Sequence, residues 1–164
     1  MRPAFTLLEV LVVITIIAAV AALVLPTFND DSRLRLMAAA AVMTSDIELA
    51  QVMTISQPDD PVIVRFEPAR NRYHLAWADT PGTPMTRQAT DETYRVTMGI
   101  GRAATAEGVT FTTADVTDDI LAFNPQGGML DFASSPRITL SLDGRTITLD
   151  ISPSTGSITE TAGP

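Results

Sequence analysis

The sequence contains neither cysteine nor lysine. Among its 164 residues, all eleven basic side chains are arginine. Without thiols the chain has no disulfides, thiolate metal sites or cysteine nucleophile. Without lysine it has no Schiff-base residue and no Walker-type phosphate loop. These absences remove the side chains on which many enzyme classes depend.

Histidine and net positive charge are also scarce. His74 is the one histidine, so any Ser-His-Asp triad or multi-histidine metal site would have to include it. It lies in a predicted strand beside Trp77, and we expect a structural role. The formal net charge of −8 argues against broad nucleic-acid binding, which requires cationic side chains to displace counterions from phosphates.

One long apolar run stands near the amino terminus. From Phe5 to Leu25, 18 of 21 residues are apolar, and the exceptions are Thr6, Glu9 and Thr15. As a helix it would extend about 31 Å, against a hydrocarbon core of about 30 Å. The rest of the chain is about 40% hydrophobic, as in an ordinary soluble domain. We therefore expect a membrane segment followed by one acidic domain.

Two interpretations of this run compete. A secretory signal peptide would use Arg2 as its charged start and Ala19-Val20-Ala21 as its cleavage site, with a mature start near Ala22. Glu9, near the start of the run, opposes this interpretation, since a carboxylate at mid-bilayer costs about 2.5–3.5 kcal/mol, somewhat less near the interface, and a signal peptide gains nothing from it. An ionisable residue in a membrane helix indicates a specific partner; the alternative is a charge that is tolerated near the membrane surface.

The stretch Ala4-Phe5-Thr6-Leu7-Leu8-Glu9-Val10, followed by the apolar run, resembles the class III prepilin signature of type IV pilins and type II secretion pseudopilins. The resemblance implies that a prepilin peptidase cuts between Ala4 and Phe5 and that Phe5 is N-methylated. The family usually has glycine where this chain has Ala4. Pro26 stands where many members carry a helix-kinking proline.

The resemblance also implies a role for Glu9, which would be the fifth residue of the mature chain. The terminal ammonium at Phe5 of a newly added subunit can pair with a neighbour's Glu9 inside the membrane. Both charges are costly alone in lipid, so pairing favours assembly. We expect an assembly residue and no catalytic residue, with pilin-like subunits, prepilin peptidase and inner-membrane lipid as partners.

Charge counting does not orient the segment, since Arg2 precedes it and Arg33 and Arg35 follow it. The resemblance, by contrast, implies a single-pass protein of the inner membrane whose carboxyl-terminal domain lies on the periplasmic side.

A helix and then strands are predicted after Pro26. Apolar residues at spacings of three and four predict an amphipathic helix that ends near Ser56 and packs one face on a sheet; they are Leu36, Ala40, Met43, Ile47 and Ala50. Residues 79–92 predict a surface loop. The predicted strands are 62–66, 72–77, 93–98, 109–113, 120–123, 138–142 and 145–151.

The clearest local signal is the hairpin around Asp143-Gly144, a dipeptide typical of type I′ turns. Pairing around it places Leu140 opposite Ile147 and Ile138 opposite Leu149 on a buried face. The threonines and Ser141 lie on the opposite, solvent-exposed face.

This order of elements resembles the GspH/FimT pseudopilin domain. The stretches that are similar to that family, in sequence order, are Ser45–Ala50, Val62–Phe66, Gly108–Phe111, Phe123–Gly127, the 138–151 hairpin and Thr155–Ile158. It implies an α+β fold, a long helix kinked near Pro26 and packed on an antiparallel β-rich domain. The expected divisions are a leader over 1–4, a transmembrane helix over 5–25, its amphipathic continuation over 26–57 and the β-rich domain over 58–164.

Other candidate sites are weak. Six loop carboxylates could supply oxygen ligands to calcium, but no EF-hand spacing is present and we expect no metal site; they are Asp59, Asp60, Asp115, Asp118, Asp119 and Asp131. Gly99-Ile-Gly101 lacks the rest of a dinucleotide fingerprint. Ser134-Ser135 has no base nearby in sequence. We expect no cofactor, no small-molecule substrate and no enzyme activity.

The sequence therefore predicts a minor pseudopilin of a type II secretion system. One alternative is a FimT-like type IV minor pilin in pilus assembly or DNA uptake. Arginines near the carboxyl terminus serve DNA binding in some such proteins, but 151–164 contains none, and Arg137 and Arg145 sit among acids. The other alternative is a periplasmic binding domain with a conventional signal peptide.

Overall fold

The computed structural model describes residues 6–24, 31–87, 91–131 and 135–163. The chain divides into two compact units, Met1–Asp31 and Ser32–Pro164. The first contains helix α1 (Leu7–Val24). The second contains nearly all of helix α2 (Asp31–Ser56), which ends at the predicted residue. The predicted kink at Pro26 lies outside the described residues.

Eight strands follow α2. They are β1 (Val62–Glu67), β2 (Arg72–Trp77), β3 (Arg95–Thr97), β4 (Thr110–Ala114), β5 (Ile120–Ala122), β6 (Arg137–Leu142), β7 (Arg145–Ile151) and β8 (Ile158–Gly163). Short 3-10 turns cover Pro68–Arg70, Gly101–Ala106 and Thr117–Asp119.

The strands form two antiparallel four-stranded sheets. The first has the order β3-β2-β1-β5 and the second the order β4-β6-β7-β8. The α+β class expected from the sequence is thus confirmed. Both sheets contribute to one core with α2, and Phe66 of the first sheet meets Phe111 of the second edge-on, with ring centroids 6.1 Å apart.

The apolar face of α2 is buried as predicted. All five residues that define it are at most 1% exposed; they are Leu36, Ala40, Met43, Ile47 and Ala50. Alanine and methionine suit this face because small side chains allow a close approach to the sheets and the flexible thioether fills the remaining gaps.

The hairpin register is also confirmed. Leu140 pairs with Ile147 and Ile138 with Leu149 across β6 and β7. Asp143 and Gly144 have φ values of 51° and 80°, as a type I′ turn requires at both central positions.

The sequence misplaced several smaller elements. β3 is confined to Arg95–Thr97, shorter than the predicted 93–98, and β8 was not predicted at all. Only Ile158 and Ala162 are apolar in the first five residues of β8, so its alternation is too weak to detect. It becomes a strand because its whole length pairs with β7.

Candidate assembly site

Helix α1 presents apolar side chains to its surroundings on every side. All its described side chains, through Val20, are exposed, and Leu7 reaches 85%. A helix that is apolar all round requires lipid or other helices around it. Glu9 is the single charged residue between Leu7 and Val24.

The first turn of α1 is closed by Thr6. The Glu9 amide donates to the Thr6 side-chain oxygen (3.3 Å) and to its carbonyl oxygen (3.1 Å). Thr6 is therefore the N-cap and Glu9 the third helical residue, the spacing of a capping box. A carboxylate in this turn also interacts favourably with the positive end of the helix dipole. The Thr-x-x-Glu spacing was visible in the sequence, but its capping role was missed.

Among the described residues, α2 is long and apolar enough to cross a membrane by length and composition, and Leu7–Val20 of α1 forms a shorter apolar stretch. One face of α2 is buried in the domain core. No described side chain of α1 is buried.

A buried polar contact fixes α2 to the first sheet. Asp46 is 1% exposed and accepts a hydrogen bond from the Tyr73 hydroxyl (2.8 Å) of β2. Arg102 donates to the same carboxylate at 2.9 Å. Burial, together with the nearby Asp46 carboxylate, raises the pKa of Tyr73, so the phenol stays protonated and donating. The sequence did not single out this cluster, because its members lie far apart along the chain.

Two further contacts secure the carboxyl-terminal half of α2. The Thr54 hydroxyl donates to the Val62 carbonyl and accepts from the Val62 amide, both at 3.0 Å. The Gln51 amide donates to the carbonyls of Gly127 (2.6 Å) and Thr155 (2.9 Å). One helix face is therefore held at its middle and at its end.

The opposite face of α2 is open and partly apolar. Four of its large apolar side chains are at least 45% exposed: Leu34, Met37, Val52 and Ile55. Ala41, Ser45 and Glu48 are exposed between them. We call these seven residues the outer ridge of α2. Their spacings of three and four place them along one side of the helix.

His74 has a structural position, as expected. It is 2% exposed, and its ring Nε2 lies 3.1 Å from the Pro81 carbonyl oxygen. Because that oxygen can only accept, Nε2 carries the proton. Nδ1 lies 3.5 Å from the Glu67 carboxylate. Burial lowers the pKa of His74, and a hydrogen bond from Arg72 lowers the pKa of Glu67.

A family model of the prokaryotic N-terminal methylation motif matches residues 2–25. The minor pseudopilin EpsH from the type 2 secretion system of Vibrio cholerae is similar in structure. The TM-score is 0.55 at 12% identity, over 78% of this chain and 97% of that chain. The chain is type IV pilin-like in motif and fold. No curated protein matches its sequence.

The pilin-like fold is typically that of a structural subunit, and its apolar amino-terminal helix is consistent with a single-pass inner-membrane protein. Of the predicted site residues, Ala4, Phe5 and Pro26 lie outside the described residues. Glu9 is described, and its assembly role stays a prediction.

The other residues that the sequence offered as metal ligands or nucleic-acid contacts do not form a site in the part of the chain that the structure describes. Within the described ranges, no group of three or more His, Asp or Glu side chains could hold a metal ion. Arg137 pairs with Asp150 at 2.7 Å, so this arginine is engaged within the hairpin.

Proposed function

We propose that this chain is a minor pseudopilin, a structural subunit of a type II secretion pseudopilus that assembles through its amino-terminal helix after prepilin peptidase cleavage. The observation that carries the proposal is α1, an exposed apolar helix with a single carboxylate, within a methylation motif and followed by a pilin-like domain. No other part of the described chain requires an apolar environment to this extent.

In this proposal α1 spans the inner membrane and the domain lies on the periplasmic side. The 18 residues of α1 extend about 27 Å, close to the thickness of the hydrocarbon core. The two bonds to Thr6 support the placement because they satisfy the Glu9 amide, and an unsatisfied amide is costly in lipid.

Prepilin peptidase would cut between Ala4 and Phe5, and Phe5 would then be N-methylated. The mature chain would begin one residue before the Thr6 cap, so its terminal ammonium would lie near the start of α1. Mass spectrometry of the mature protein from its native membrane tests this step. We expect the mass of a chain that begins with N-methyl-Phe5. The mass of a chain that begins near Ala22 would instead indicate a signal peptide and overturn the proposal.

Glu9 would then align neighbouring subunits by pairing with the terminal ammonium of the next one. Its capping position offers a competing explanation, in which the side chain stabilises only its own helix. Glu9→Gln separates the two, because glutamine also fits the third position of a capping box but carries no charge.

The test measures disulfide crosslinking between cysteines introduced into α1 of this chain and of its partner subunits in native membranes. We expect Glu9→Gln to insert and be processed normally but to lose at least about tenfold of the crosslinked product, because an ammonium would remain unpaired in lipid. Thr15→Val, a polar-to-apolar change in the same helix, is the control. Normal crosslinking in Glu9→Gln would refute charge pairing.

The outer ridge of α2 would pack against helices of other pilin-like subunits in the filament. The large apolar side chains at both ends of the ridge can bury apolar surface against a neighbouring helix. The small Ala41 and Ser45 between them allow that helix to approach closely. Replacement of two apolar residues of the ridge by charged ones, Leu34→Glu and Val52→Glu, should leave the domain folded, since both side chains are more than half exposed, and should reduce incorporation into the filament.

A FimT-like minor pilin remains the second candidate, because a methylation motif is shared by pilins and pseudopilins. Deletion of the gene in its native host distinguishes them. Loss of secreted proteins from the medium with normal pili supports the pseudopilin, and loss of pili with normal secretion supports the pilin.

A further inference from the structure

Strand β8 forms a long open edge of the second sheet. All six of its residues pair with β7 on one side, and within the described residues no strand pairs with the other side. Natural edge strands are often protected by shortness, proline or lysine. Both edges of the first sheet, β3 and β5, are only three residues long. β8 is six residues long, has no proline and carries one charged residue, Glu160.

A groove of about 400 Å³ lies beside this edge, between the start of α2, the start of β7 and the end of β8. Leu36 and Met37 of α2 contribute apolar surface from one side, and Ile147 and Ala162 contribute it from the sheet. The small Ala162 side chain projects little from the sheet, so the groove stays open beside it. The groove can accept a large apolar side chain.

Two arginines border the groove. Neither Arg33 nor Arg145 has a side-chain hydrogen bond or ion pair in the described part of the chain, whereas Arg35, Arg72, Arg102 and Arg137 each pair with a carboxylate. The one acid at the groove, Glu160, accepts a hydrogen bond from Thr44 of α2 (3.1 Å). The border of the groove therefore has a net positive charge in a chain whose net charge is −8.

We propose that β8 and its groove form a binding site for an extended acidic segment of another polypeptide. The segment adds as a fifth strand along β8, inserts an apolar side chain among Leu36, Met37 and Ile147, and places a carboxylate against Arg33 and Arg145. Main-chain bonds supply affinity in this mode, and the pocket supplies specificity. The groove includes no residue of α1, and it shares only Met37 with the outer ridge.

The observations favour an added strand of another polypeptide over two other occupants, a second copy of this chain and a lipid headgroup. A second copy paired through β8 would place a Glu160 carboxylate beside each open edge, and its β8 offers no large apolar side chain beyond Ile158. A lipid headgroup would match the arginines but would leave the backbone groups of β8 unpaired.

The experiment measures fluorescence anisotropy of a labelled octapeptide that alternates threonine and leucine and ends in a free aspartate, titrated with the full chain in detergent micelles. Two control peptides differ by one change each, a central proline that removes a strand donor, or an amidated asparagine in place of the terminal aspartate. We expect binding by the first peptide and at least about tenfold weaker binding by both controls, a loss of about 1.4 kcal/mol.

Two variants locate the site on the protein. Arg33→Glu with Arg145→Glu should weaken binding at least about tenfold by reversing the charge, and Ala162→Trp should do so by filling the groove. Arg95→Glu, which reverses an exposed arginine on the first sheet, is the matched control and should bind like the wild type. Near-ultraviolet circular dichroism checks that each variant is folded.

The proposal is overturned if the peptide fails to bind at about 1 mM, if the proline peptide binds equally well, or if a folded Ala162→Trp binds as the wild type does. It is also overturned if the chain dimerises through β8, measured as a concentration-dependent mass that Ala162→Trp changes.

Discussion

Glu9 and Asp46 are both carboxylates among apolar side chains, but their surroundings differ. Asp46 is fully satisfied within the domain by Tyr73 and Arg102. The Glu9 side chain is exposed on an apolar helix, and no described residue forms an ion pair with it. A carboxylate satisfied internally serves the fold, whereas the exposed setting of Glu9 is what supports the proposed pairing with another subunit.

The buried His74 makes stability depend on pH. Because burial lowers its pKa below the ordinary value of 6.5, the unfolded chain binds more protons than the folded one as pH falls below that value. The contribution of the neutral His74 ring to the free energy of unfolding is complete above pH 6.5 and is lost as the pH falls below that value. We expect the free energy of unfolding to decrease between about pH 7.5 and 5.5.

Chemical denaturation of wild type and His74→Gln at both pH values measures this effect. Glutamine retains a donor for the Pro81 carbonyl but does not titrate, so its stability should change less over this interval. The pH interval stays above the ordinary Glu67 pKa of 4.5. Below that pH, protonation of Glu67 weakens its ion pairs and lowers the free energy of unfolding further. Equal pH dependence in the two proteins would contradict the assignment.

At the scale of elements, the β6–β7 hairpin depends on its turn. Gly144 has a φ of 80°, a conformation that a residue with a Cβ rarely adopts. Gly144→Ala should therefore lower the free energy of unfolding by about 1 kcal/mol, measured by urea denaturation. Gly82→Ala is the control, since a Cβ added there would meet no atom within 4 Å and its φ is not in the left-handed region. A loss no larger at Gly144 than at Gly82 would contradict this explanation.

Elements specified by local pattern could be predicted, and elements specified by pairing could not. The Asp143-Gly144 turn and its flanking alternation determine the hairpin register within fifteen residues. The spacing of Leu36 and its successors likewise determines the buried face of α2. β8 has no such pattern and becomes a strand only because β7 is beside it.

The residues of the candidate site also fall into those that a local motif identifies and those that only folding brings together. The methylation motif is local, so its residues could be identified from the sequence, including Glu9. The Asp46 cluster joins residues 27 and 56 positions apart, and no periodicity signals such a contact. The groove beside β8 also depends on the packing of distant segments, and it could not be predicted without the strand.

At the scale of the whole molecule, the second unit has its own core. Every residue of that core lies between Leu36 and Ile151. We therefore expect Asp31–Pro164 to fold without α1, to be soluble without detergent, and to unfold in one cooperative transition within a few degrees of the full chain. Calorimetry and sedimentation check this. An unfolded or aggregated fragment would show that α1 contributes to the core.

The Asp46 contact has a consequence for how the outer ridge is oriented. Apolar packing is non-directional, and the small side chains of Ala39, Ala40 and Ala50 on the buried face do little to fix the rotation of the helix about its axis. The directional bonds from Tyr73 and Arg102 to Asp46 favour one rotation. A buried carboxylate on the inner side thus helps to set the angle at which Leu34, Met37, Val52 and Ile55 face outward. Under the proposed packing of the outer ridge, the same contact sets the direction in which a neighbouring subunit would be added.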